Sequence, residues 1–464
     1  MTIAAISTPP GTGGIAVIRI SGPDAVYATD SIFVPHREGH RLSVRPSHSL
    51  TFGQIVNPET DEIIDETVVA LFLAPHSFTG EDVVEISCHG SVYIQQELLR
   101  LLTTHGCRLA EPGEFTRRAF INGKMDLSQA EAVADVIAAE SRAAHRLAMN
   151  QMRGSFSSEL ASLREQLVTF ASLLELELDF GDHEDLEFVD RSELKTLATA
   201  IEHKIATLEN SFAKGNAIKH GIPVAIVGET NAGKSTLLNL LVGDERAIVS
   251  DIHGTTRDVI EDTVNINGAL FRFIDTAGIR QTDDTIENLG IERTYKMIER
   301  AEIILWVVDS TCVTEHIEWL AERIVKRAAG KRLIILLNKT ENLDSEEIAT
   351  LREWFTPYDA EKIEISAKYR KNTDTLPALL YRSAQLPEIG NHDVIVTNLR
   401  HYEALRLAHA AIRRTLDGLD YMLPADLIAQ DVRECTRHLG EITGGEITSD
   451  ELLSTVFSRF CVGK

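Results

Sequence analysis

The sequence of 464 residues is poor in cysteine, and no apolar run approaches the roughly 20 residues that cross a bilayer. Its cysteines are Cys88, Cys107, Cys312, Cys435 and Cys461, which are scattered and show no CxxC spacing. This pattern argues against a disulfide scaffold or a zinc cluster and favours a reducing cytosol. Because the first residues lack the basic and then apolar segments of a signal peptide, we expect a cytoplasmic protein that binds no membrane.

Basic residues are also scarce, since 46 Lys and Arg stand against 70 Asp and Glu, which gives a formal net charge of −24. A chain this acidic should repel a polyphosphate as a whole, because non-specific affinity for nucleic acid depends on Lys and Arg. If RNA is a ligand, a local patch or a basic partner must hold it. The length predicts roughly two to four domains.

Three patterns divide the chain. Up to about residue 118, short β-rich runs such as "GIAVIRISG" and "DETVVALFLAP" alternate with turns, which is typical of an α+β domain. From about 125 to 213, and again after Pro387, apolar residues recur at the spacing of amphipathic helices. Between these helical segments, strand-length apolar runs alternate with helices, which predicts a parallel α/β sheet.

The α/β segment lies between two helical flanks, which predicts an inserted domain. Each flank alone has too few apolar stripes for a closed core, so we expect both to build one helical domain. Two independent helical pieces are the alternative. The predicted domains are 1–118, 119–216 together with 381–464, and 217–380.

The strongest motif is "GETNAGKST", which contains G-x-x-x-x-G-K-S from Gly228 to Ser235. It follows the strand-like "IPVAIV" and precedes the helical "TLLNLLVG", the context that a phosphate-binding loop requires. Glycines let backbone N–H groups surround phosphates, and the next helix directs its positive end at them. We expect Lys234 to reach the β and γ phosphates and Ser235 to bind Mg²⁺.

Further motifs follow in the order of a GTPase. "DTAG" closes an apolar strand, where Asp275 would contact Mg²⁺ through water and the Gly278 N–H would contact the γ-phosphate. "GTTRD" lies where the first switch belongs, with Thr256 as the preferred Mg²⁺-binding threonine and Thr255 as its competitor. "NKTE" and "SAK" resemble the guanine-reading motif NKxD and its companion loop, with Glu341 at the position of the usual Asp.

Water activation needs an unusual residue. Many small GTPases orient the attacking water with a Gln directly after DTAG, but this position holds Ile279, which cannot hydrogen-bond. The next segment offers Asp283, Asp284, Glu287 and Glu292. By position alone, each of these acids is more often a solvated charge.

Together these motifs resemble those of the MnmE (TrmE) family of tRNA-modification GTPases, and the resemblance covers the whole chain. It includes "GGIAVIRISGP", "SFTGEDVVEISCHG", "PGEFTRRAFINGKMDLSQAEAV", "GETNAGKSTLLN" and "DTAGIR". The last residues, "FCVGK", resemble the family's FCIGK or FCVGK terminus. The resemblance implies a multidomain fold: an α+β N-terminal domain that binds tetrahydrofolate and dimerises, a discontinuous α-helical domain, and an inserted α/β P-loop G domain.

The resemblance also implies an activity. Family members act with a flavoprotein, MnmG (GidA), to install a carboxymethylaminomethyl or aminomethyl group at C5 of the wobble uridine of certain tRNAs. A tetrahydrofolate derivative, in the 5-formyl or methylene form, supplies the one-carbon unit, and K⁺-dependent dimerisation of the G domains drives GTP hydrolysis. We therefore expect a homodimeric, K⁺-stimulated GTP hydrolase that uses GTP, Mg²⁺, K⁺ and folate and leaves the tRNA largely to its partner.

Individual roles follow from the resemblance. Asn231 matches the asparagine that binds K⁺, and the loop with Ser250, Ile252 and Thr255 matches the one that completes this cation site. K⁺ places a positive charge where an arginine finger would lie. Glu287 matches the water-orienting glutamate and is the predicted catalytic residue, although without the resemblance it could be a surface charge and Asn231 could merely rigidify its loop. The residues predicted to bind GTP are Asn231, Ala232, Gly233, Lys234, Ser235, Thr236, Ser250, Thr255, Thr256, Asp275, Thr276, Ala277, Gly278, Asn338, Lys339, Glu341, Ser366, Ala367 and Lys368.

Arg19, Glu81, Lys124 and Lys464 match the family's folate contacts. A carboxylate can pair with the donor edge of a pterin, and basic groups can face glutamyl carboxylates. The last helix would then deliver the "CVGK" tail into the folate pocket. Cys461 is a possible reactive thiol or a packing thiol, because the charges of Lys464 and of the terminal carboxylate act on its pKa in opposite directions.

Two other functions fit part of the sequence. A GTP-switched ribosome or RNA assembly factor would share the G motifs but usually carries a basic RNA-binding domain, which the net charge of −24 opposes. A folate one-carbon transferase with a degenerate G domain is opposed by the intact "GKS", "DTAG" and "GTTRD".

Overall fold

The structure is a computed structural model. It describes residues 1–37, 39, 41–180, 191–243, 261–274, 287–312, 315–387, 390, 393–445, 453, 456–458, 460 and 462–463. Contacts divide the chain into two compact units. Residues 1–134, 151–201 and 407–464 belong to the first unit, and residues 135–150 and 202–406 belong to the second.

The first unit contains a seven-stranded sheet. Its strands are β1 (Ile3–Ile6), β2 (Gly13–Ser21), β3 (Phe33–Pro35), β4 (Ser49–Asn57), β5 (Glu62–Phe72), β6 (Val83–Gly90) and β7 (Arg108–Leu109). The order across the sheet is β3-β4-β5-β6-β2-β1-β7, and neighbours are antiparallel except β1 and β7. Along β5, buried and exposed residues alternate, which is the pattern of a sheet with its core on one face.

Helices cover the core face of this sheet. α1 (Ala25–Asp30) contacts β6, and α2 (Val92–Thr104) contacts both β1 and β6. The core between them includes the fully buried Ile18, Ile86 and Leu98. A short 3-10 turn (Leu42–Val44) packs on α1. The predicted α+β N-terminal fold is confirmed.

The long helices of the first unit come from both flanks of the α/β segment. α6 (Ser155–Phe180) precedes that segment and α14 (Ala425–Thr443) follows it, and these two helices contact each other. The stripe predicted in α6 is buried, with Leu163, Leu167 and Phe170 fully inaccessible to solvent. The predicted discontinuous helical fold is therefore confirmed, while the predicted domain boundaries stay predictions. The other helices outside the α/β module are α3 (Glu114–Ile121), α4 (Leu127–Ala138), α5 (Arg142–Met152), α7 (Arg191–His220) and α13 (Leu399–Asp420).

The second unit contains the α/β module with a six-stranded sheet. Its strands are β8 (Ile222–Val227), β9 (Asp262–Ile266), β10 (Ala269–Phe273), β11 (Ile303–Asp309), β12 (Arg332–Asn338) and β13 (Glu361–Glu364). The order is β13-β12-β11-β8-β10-β9, and every neighbouring pair is parallel except β9 with β10. The helices of the module are α8 (Lys234–Gly243), α9 (Glu287–Arg300), α10 (Glu315–Arg327), α11 (Ser345–Phe355) and α12 (Leu376–Ser383).

Both faces of this sheet are covered, which explains why its strands read as continuous apolar runs. On one face, Leu305 packs in a cluster with residues of α8 and α12. On the other face, the neighbouring Trp306 packs with Ile298 of α9 and Phe355 of α11. The carboxyl ends of the parallel strands then bring the predicted nucleotide motifs to one edge. Among the described residues, none of the helices combines the length and the apolarity needed to cross a membrane.

Candidate functional site

The loop from Gly228 to Gly233 joins β8 to α8, where the sequence predicts phosphate binding. The φ angles of Gly228 (148°), Asn231 (65°) and Gly233 (101°) lie where L-residues are rare. A Cβ at Gly228 would lie 2.2 Å from the Val307 carbonyl oxygen, and one at Gly233 would lie 2.2 Å from Asn338 Nδ2. These glycines therefore let the loop curl tightly at the N-terminus of α8, the position that favours anions.

Lys234, the first residue of α8, folds back over this loop. Its Nζ donates hydrogen bonds to the carbonyl oxygens of Gly228 (2.9 Å) and Glu229 (2.5 Å). Burial lowers the pKa of this ammonium, and the Glu229 charge opposes that effect. An ammonium that has lost water in this way gains strongly from the negative charge of a phosphate.

Asn338, at the end of β12, joins two loops. Its Nδ2 donates to the Ala232 carbonyl oxygen (2.7 Å), and its Oδ1 accepts from the Ala367 N–H (3.0 Å). The phosphate loop, NKTE and SAK are thus tied together by one buried amide. Asn338, Ala367 and the neighbouring Lys339 and Glu341 are termed the base corner below.

Lys339 and Glu341 complete the base corner. Lys339 has a left-handed backbone (φ 66°), and its ammonium pairs with Asp309 at the end of β11. Burial raises the pKa of the Asp309 carboxyl, but hydrogen bonds from Lys339 and Thr311 outweigh burial and hold it below its ordinary value. Glu341 Oε2 is buried and accepts no hydrogen bond within the described part of the chain. The N–H groups of a guanine would satisfy such an acceptor.

The SAK loop is shaped by its own backbone. Ser366 exchanges two backbone hydrogen bonds with Lys371, of 3.0 and 3.1 Å. The Ser366 Oγ accepts from the Tyr369 N–H (3.3 Å), and Lys368 is exposed with Nζ 5.2 Å from the Tyr369 ring centroid. This closed turn aims the Ala367 N–H at Asn338.

Several predicted residues fall outside the described ones: Ser250, Ile252, Thr255, Thr256, Asp275, Thr276, Ala277 and Gly278. Glu287 begins α9, and only its backbone is described. Ser235 and Thr236 lie in the first turn of α8, and Asn231 is exposed on the phosphate loop. The roles assigned to these residues stay predictions.

In the first unit, Arg19 lies on β2 among fixed partners. Its Nε donates to Glu85 Oε1 on the neighbouring β6 (2.8 Å). The guanidinium carbon lies 5.3 Å from the ring centroid of Phe78 and 5.7 Å from that of Phe115. An ion pair and two aromatic faces therefore hold Arg19 in place.

Glu81 belongs to a chain of charged groups that the sequence did not reveal. Its Oε2 accepts from the Ser21 hydroxyl and from Arg118 Nη1, both at 2.8 Å. Arg118 also bonds Glu114, which Arg108 binds through both of its terminal nitrogens. Burial pushes the pKa of Glu114 upward, but these arginines and a backbone N–H outweigh it and lower the pKa to about 2. The only signal in the sequence was the Glu114 and Arg118 spacing of four within a helix.

Lys124 lies beside the loop that carries Glu81. Its Nζ donates to the Pro75 carbonyl oxygen (2.9 Å), and a Cβ at Gly80 would lie 3.4 Å from its aliphatic stem. Arg19 and Ser21 lie two residues apart on β2, so their side chains are on the same face of the sheet. The Ser21 hydroxyl donates to Glu81. Arg19, Glu81 and Lys124 are thus connected through Ser21 of β2 and through Gly80, which precedes Glu81. These three residues are termed the N-terminal cluster below.

The last described residues lie against the first strands. Val462 forms an antiparallel bridge with Pro112, and the Gly463 carbonyl oxygen accepts from the Ser7 hydroxyl (2.9 Å). Gly463 has φ 97°, and a Cβ there would lie 2.2 Å from the Ile6 carbonyl oxygen. Only glycine fits so close to the backbone of β1. Cys461 and Lys464 themselves lie outside the described residues.

The strand order, the phosphate loop and the base corner define the class of protein, a P-loop GTP hydrolase whose G module is inserted between helical segments. One family model, described as the MnmE helical domain, matches residues 127–461. A second, described as the GTP-binding protein TrmE N-terminus, matches residues 2–124.

Two curated relatives bear the name tRNA modification GTPase MnmE. The protein from Bacteroides thetaiotaomicron is 56% identical, over 100% of this chain and 99% of its own. The one from Parabacteroides distasonis is also 56% identical, over 100% of both chains. This chain therefore belongs to the MnmE family of tRNA modification GTPases. Among solved structures, Era from Aquifex aeolicus bound to GDP.AlF4- is 30% identical over 40% of this chain and 65% of that chain, but its TM-score of 0.28 supports no structural conclusion.

Proposed function

We propose that this protein is a K⁺-stimulated GTP hydrolase that works in the cytoplasm with a flavoprotein partner, MnmG (GidA). With a tetrahydrofolate one-carbon unit, the pair would install a carboxymethylaminomethyl or aminomethyl group at C5 of the wobble uridine in tRNA. The observation that carries the GTP part is the base corner, where Asn338 ties three motifs together and the buried Glu341 Oε2 has no hydrogen-bond partner among the described residues. The tRNA part rests on the name that the relatives share.

The phosphate loop would hold and orient GTP. Its N–H groups and Lys234 would bind the phosphates, and Ser235 with Thr256 would hold Mg²⁺, which neutralises phosphate charge when bound. Glu341 would accept from the guanine N–H groups, and Asn338 would keep the loops around the base in register. GTP fits these residues. The desolvated Lys234 ammonium would gain the negative charge of a phosphate, and Glu341 Oε2, which has no partner among the described residues, would gain a hydrogen-bond donor from the base.

The attacking water needs a group other than Ile279, and Glu287 at the start of α9 would orient it. Asn231 would bind K⁺ together with the loop of Ser250, Ile252 and Thr255. In support of this role, Asn231 is exposed at the tip of the phosphate loop, so a cation can reach its amide oxygen. The bound cation would supply positive charge next to the phosphates.

The N-terminal cluster would hold the folate. Within the described part of the chain, both hydrogen bonds to the Glu81 side chain end on Oε2, so Oε1 can accept from the amino edge of a pterin. Lys124 is exposed and could face the glutamyl carboxylates, while Arg19 lines the same face of the sheet. The contact between Gly463 and Ser7 supports a place for Lys464, and with it Cys461, in this pocket.

An exposed apolar face supports the proposed homodimer. Val34, Leu50, Phe52 and Val68 lie on the adjacent strands β3, β4 and β5 and are 52%, 67%, 49% and 38% exposed. Phe52 lies directly opposite Val68, so their side chains share one face. A contiguous apolar surface of this kind marks an interaction site. The net charge of −24 supports a tRNA held largely by the partner.

The test is nucleoside analysis of tRNA from cells that lack this protein, complemented with the wild type or with Lys234→Ala. We expect the C5-modified wobble uridine to disappear, to return with the wild type, and to stay absent with the variant. Intact nucleosides together with a defect in ribosome maturation would instead support the assembly-factor alternative.

The cation is tested separately on the purified protein. GTP turnover is measured in KCl and in NaCl at equal ionic strength, with Asn231→Ala as the second variable. We expect turnover to be much faster in K⁺, and this advantage to vanish in the variant. Equal rates in both salts would remove the cation from the mechanism.

A further inference from the structure

The turn between β9 and β10 is a tight hairpin turn. Asn267 (φ 52°) and Gly268 (φ 82°) both have positive φ, the conformation of a tight two-residue hairpin with an Asn-Gly sequence. The Gly268 N–H also donates to Asn265 Oδ1 (3.0 Å). The backbone conformation of this hairpin tip is therefore specified by its own sequence.

This hairpin tip is docked on the turn between α4 and α5. The Ala143 N–H donates to the Gly268 carbonyl oxygen, and Asn265 Nδ2 donates to the Glu140 carbonyl oxygen, both at 3.1 Å. A Cβ at Gly268 would lie 3.3 Å from the Arg142 Cβ. The stem of Arg142 consequently runs along the tip, and its position is set by the contact.

A cavity of about 540 Å³ opens beside this contact, within the second unit. Its walls come from α5, the hairpin tip, α12 and the chain that follows α12. Arg142 and Arg146 line it from one face of α5, because residues four apart are neighbours on a helix. Tyr381 and Asn267 add polar groups to the lining. Asp393 lines it too, but its Oδ2 accepts from the Gly390 N–H (2.6 Å), so part of its acceptor capacity is used within the wall.

Two guanidinium groups in one concave wall suit a phosphate. The planar fork of arginine matches phosphate oxygens in a bidentate manner, and a cavity focuses the local field. The chain as a whole has a net charge of −24, so this anion site would depend on its local arginines and not on the overall charge. The volume falls within the range of small-ligand sites.

We propose that this cavity, termed the arginine cavity, binds a phosphate group through Arg142 and Arg146. The ligand is defined by its phosphate, which either a free nucleotide or an RNA backbone could supply. The site is distinct from the phosphate loop and from the N-terminal cluster. It does not depend on the function proposed above, because its recognition chemistry is complete without that reaction.

The first experiment uses pyrophosphate as the probe and the full-length protein saturated with GDP and Mg²⁺, which fills the phosphate loop. Calorimetry should detect one further pyrophosphate per chain. The double variant Arg142→Gln and Arg146→Gln should weaken this binding at least 10-fold, whereas the pair Arg142→Lys and Arg146→Lys should keep most of it.

The second experiment measures tRNA binding against salt concentration with the same variants. If RNA supplies the phosphate, the double Gln variant should lower the slope of log K against log salt by about 1 to 2, because each neutralised phosphate contributes about 0.7 to 0.9. If the double Gln variant weakens pyrophosphate binding but leaves the tRNA salt slope unchanged, the ligand is a free phosphate compound. Either of these two outcomes supports a phosphate site in the cavity.

A matched control removes two arginines with the same spacing elsewhere. Arg433 and Arg437 are exposed and four apart on α14, so Arg433→Gln with Arg437→Gln changes the net charge equally. GTP turnover and the unfolding temperature of every variant check the fold. Because Arg142 is exposed, Arg142→Gln alone serves as the second variant if the double one is unstable.

The proposal is overturned if GDP-bound protein takes up no pyrophosphate and the salt slope does not change. It is equally overturned if the control pair on α14 weakens binding as much as the pair in the cavity, since the effect would then be one of overall charge.

Discussion

The base corner and the N-terminal cluster differ in how far their polar side chains are already hydrogen-bonded within the protein. In the base corner, Asn338 is bonded to two loops, yet Glu341 has a buried oxygen that no residue in the described ranges bonds. In the N-terminal cluster, each charged side chain already has a protein partner: Arg19 has Glu85, Glu81 has Arg118, and Lys124 has a backbone carbonyl.

This difference predicts how each site responds to a ligand. A guanine bonded to the Glu341 carboxylate would add a hydrogen bond that the described residues do not supply, so binding should gain more from this contact than from one that replaces an existing bond. A ligand at the N-terminal cluster must use the second oxygen of Glu81 or exchange existing bonds, so each contact gains less. Folate binding should therefore depend more than guanine binding on contacts from outside the cluster, such as those of the C-terminal tail.

The largest effect should separate turnover from base recognition within the G module. Glu287→Ala should lower kcat by about 10² to 10⁴-fold, because a group that orients or activates water contributes that much. GTP affinity should stay within a few-fold of the wild type, since the base corner is untouched. Single-turnover hydrolysis and nucleotide titration measure the two quantities.

Glu292→Ala is the matched control, because it removes another acid of the same segment. If that variant loses turnover and Glu287→Ala keeps it, the assignment of the catalytic residue is wrong.

The next effect tests the charged network next to the N-terminal cluster, where Glu114 bonds Arg118, the partner of Glu81. Glu114 has its pKa lowered from 4.5 to about 2, so its stabilisation is complete above pH 4.5 and is lost as pH falls towards 2. Glu114→Gln should lower the free energy of unfolding by about 3 kcal/mol at pH 7 and by much less near pH 3. Urea unfolding of both proteins at the two pH values measures this.

Glu97→Gln removes the exposed pair of Glu97 with Arg100 and should cost under about 0.5 kcal/mol. Equal losses at both pH values would show that Glu114 acts through packing and not through its charge.

A smaller effect should appear at Glu341. Hydrogen bonds to a charged acceptor contribute about 1.5 to 3 kcal/mol, so Glu341→Gln should weaken GDP about 10 to 100-fold. IDP, which lacks the exocyclic amine, should lose less, and Glu341→Asp should keep the preference for GDP. Fluorescence titration with both nucleotides measures these affinities.

Glu346→Gln serves as the control, because this side chain is exposed on α11 nearby in sequence. An unchanged ratio of GDP to IDP affinity in Glu341→Gln would mean that the carboxylate does not read the base.

The smallest effect concerns the tail. Removal of the last four residues should weaken binding of 5-formyltetrahydrofolate about 10-fold and leave GTP affinity unchanged, because the described tail residues Val462 and Gly463 contact Pro112 and Ser7 of the first unit. Ser7→Ala removes the Gly463 bond alone and should weaken folate by less, since one neutral hydrogen bond contributes about 1 kcal/mol. Unchanged folate affinity after truncation would separate the tail from the pocket.

The sequence predicted the G module well because its signals are local. Gly228 and the NKTE motif follow strand ends, and Lys234 begins the next helix. Because these segments are short, spacing alone predicts their geometry. The Asn-Gly turn between β9 and β10 is another local signal, although its docking on the α4–α5 turn is not. The network of Arg108, Glu114 and Arg118 does not follow from the sequence, because Arg108 lies on β7 and the other two lie on α3, and each reads as an ordinary surface charge.

The sequence by itself determined the strands, helices and phosphate loop, because hydrophobic period and glycine placement act over a few residues. It also determined that the G module is an insertion, since its pattern interrupts a helical one. Only the tertiary structure decided which charges are already paired, that Asn338 ties two loops together, and that Gly463 returns to Ser7. These contacts join residues as far as 456 positions apart, and no local preference specifies such a meeting.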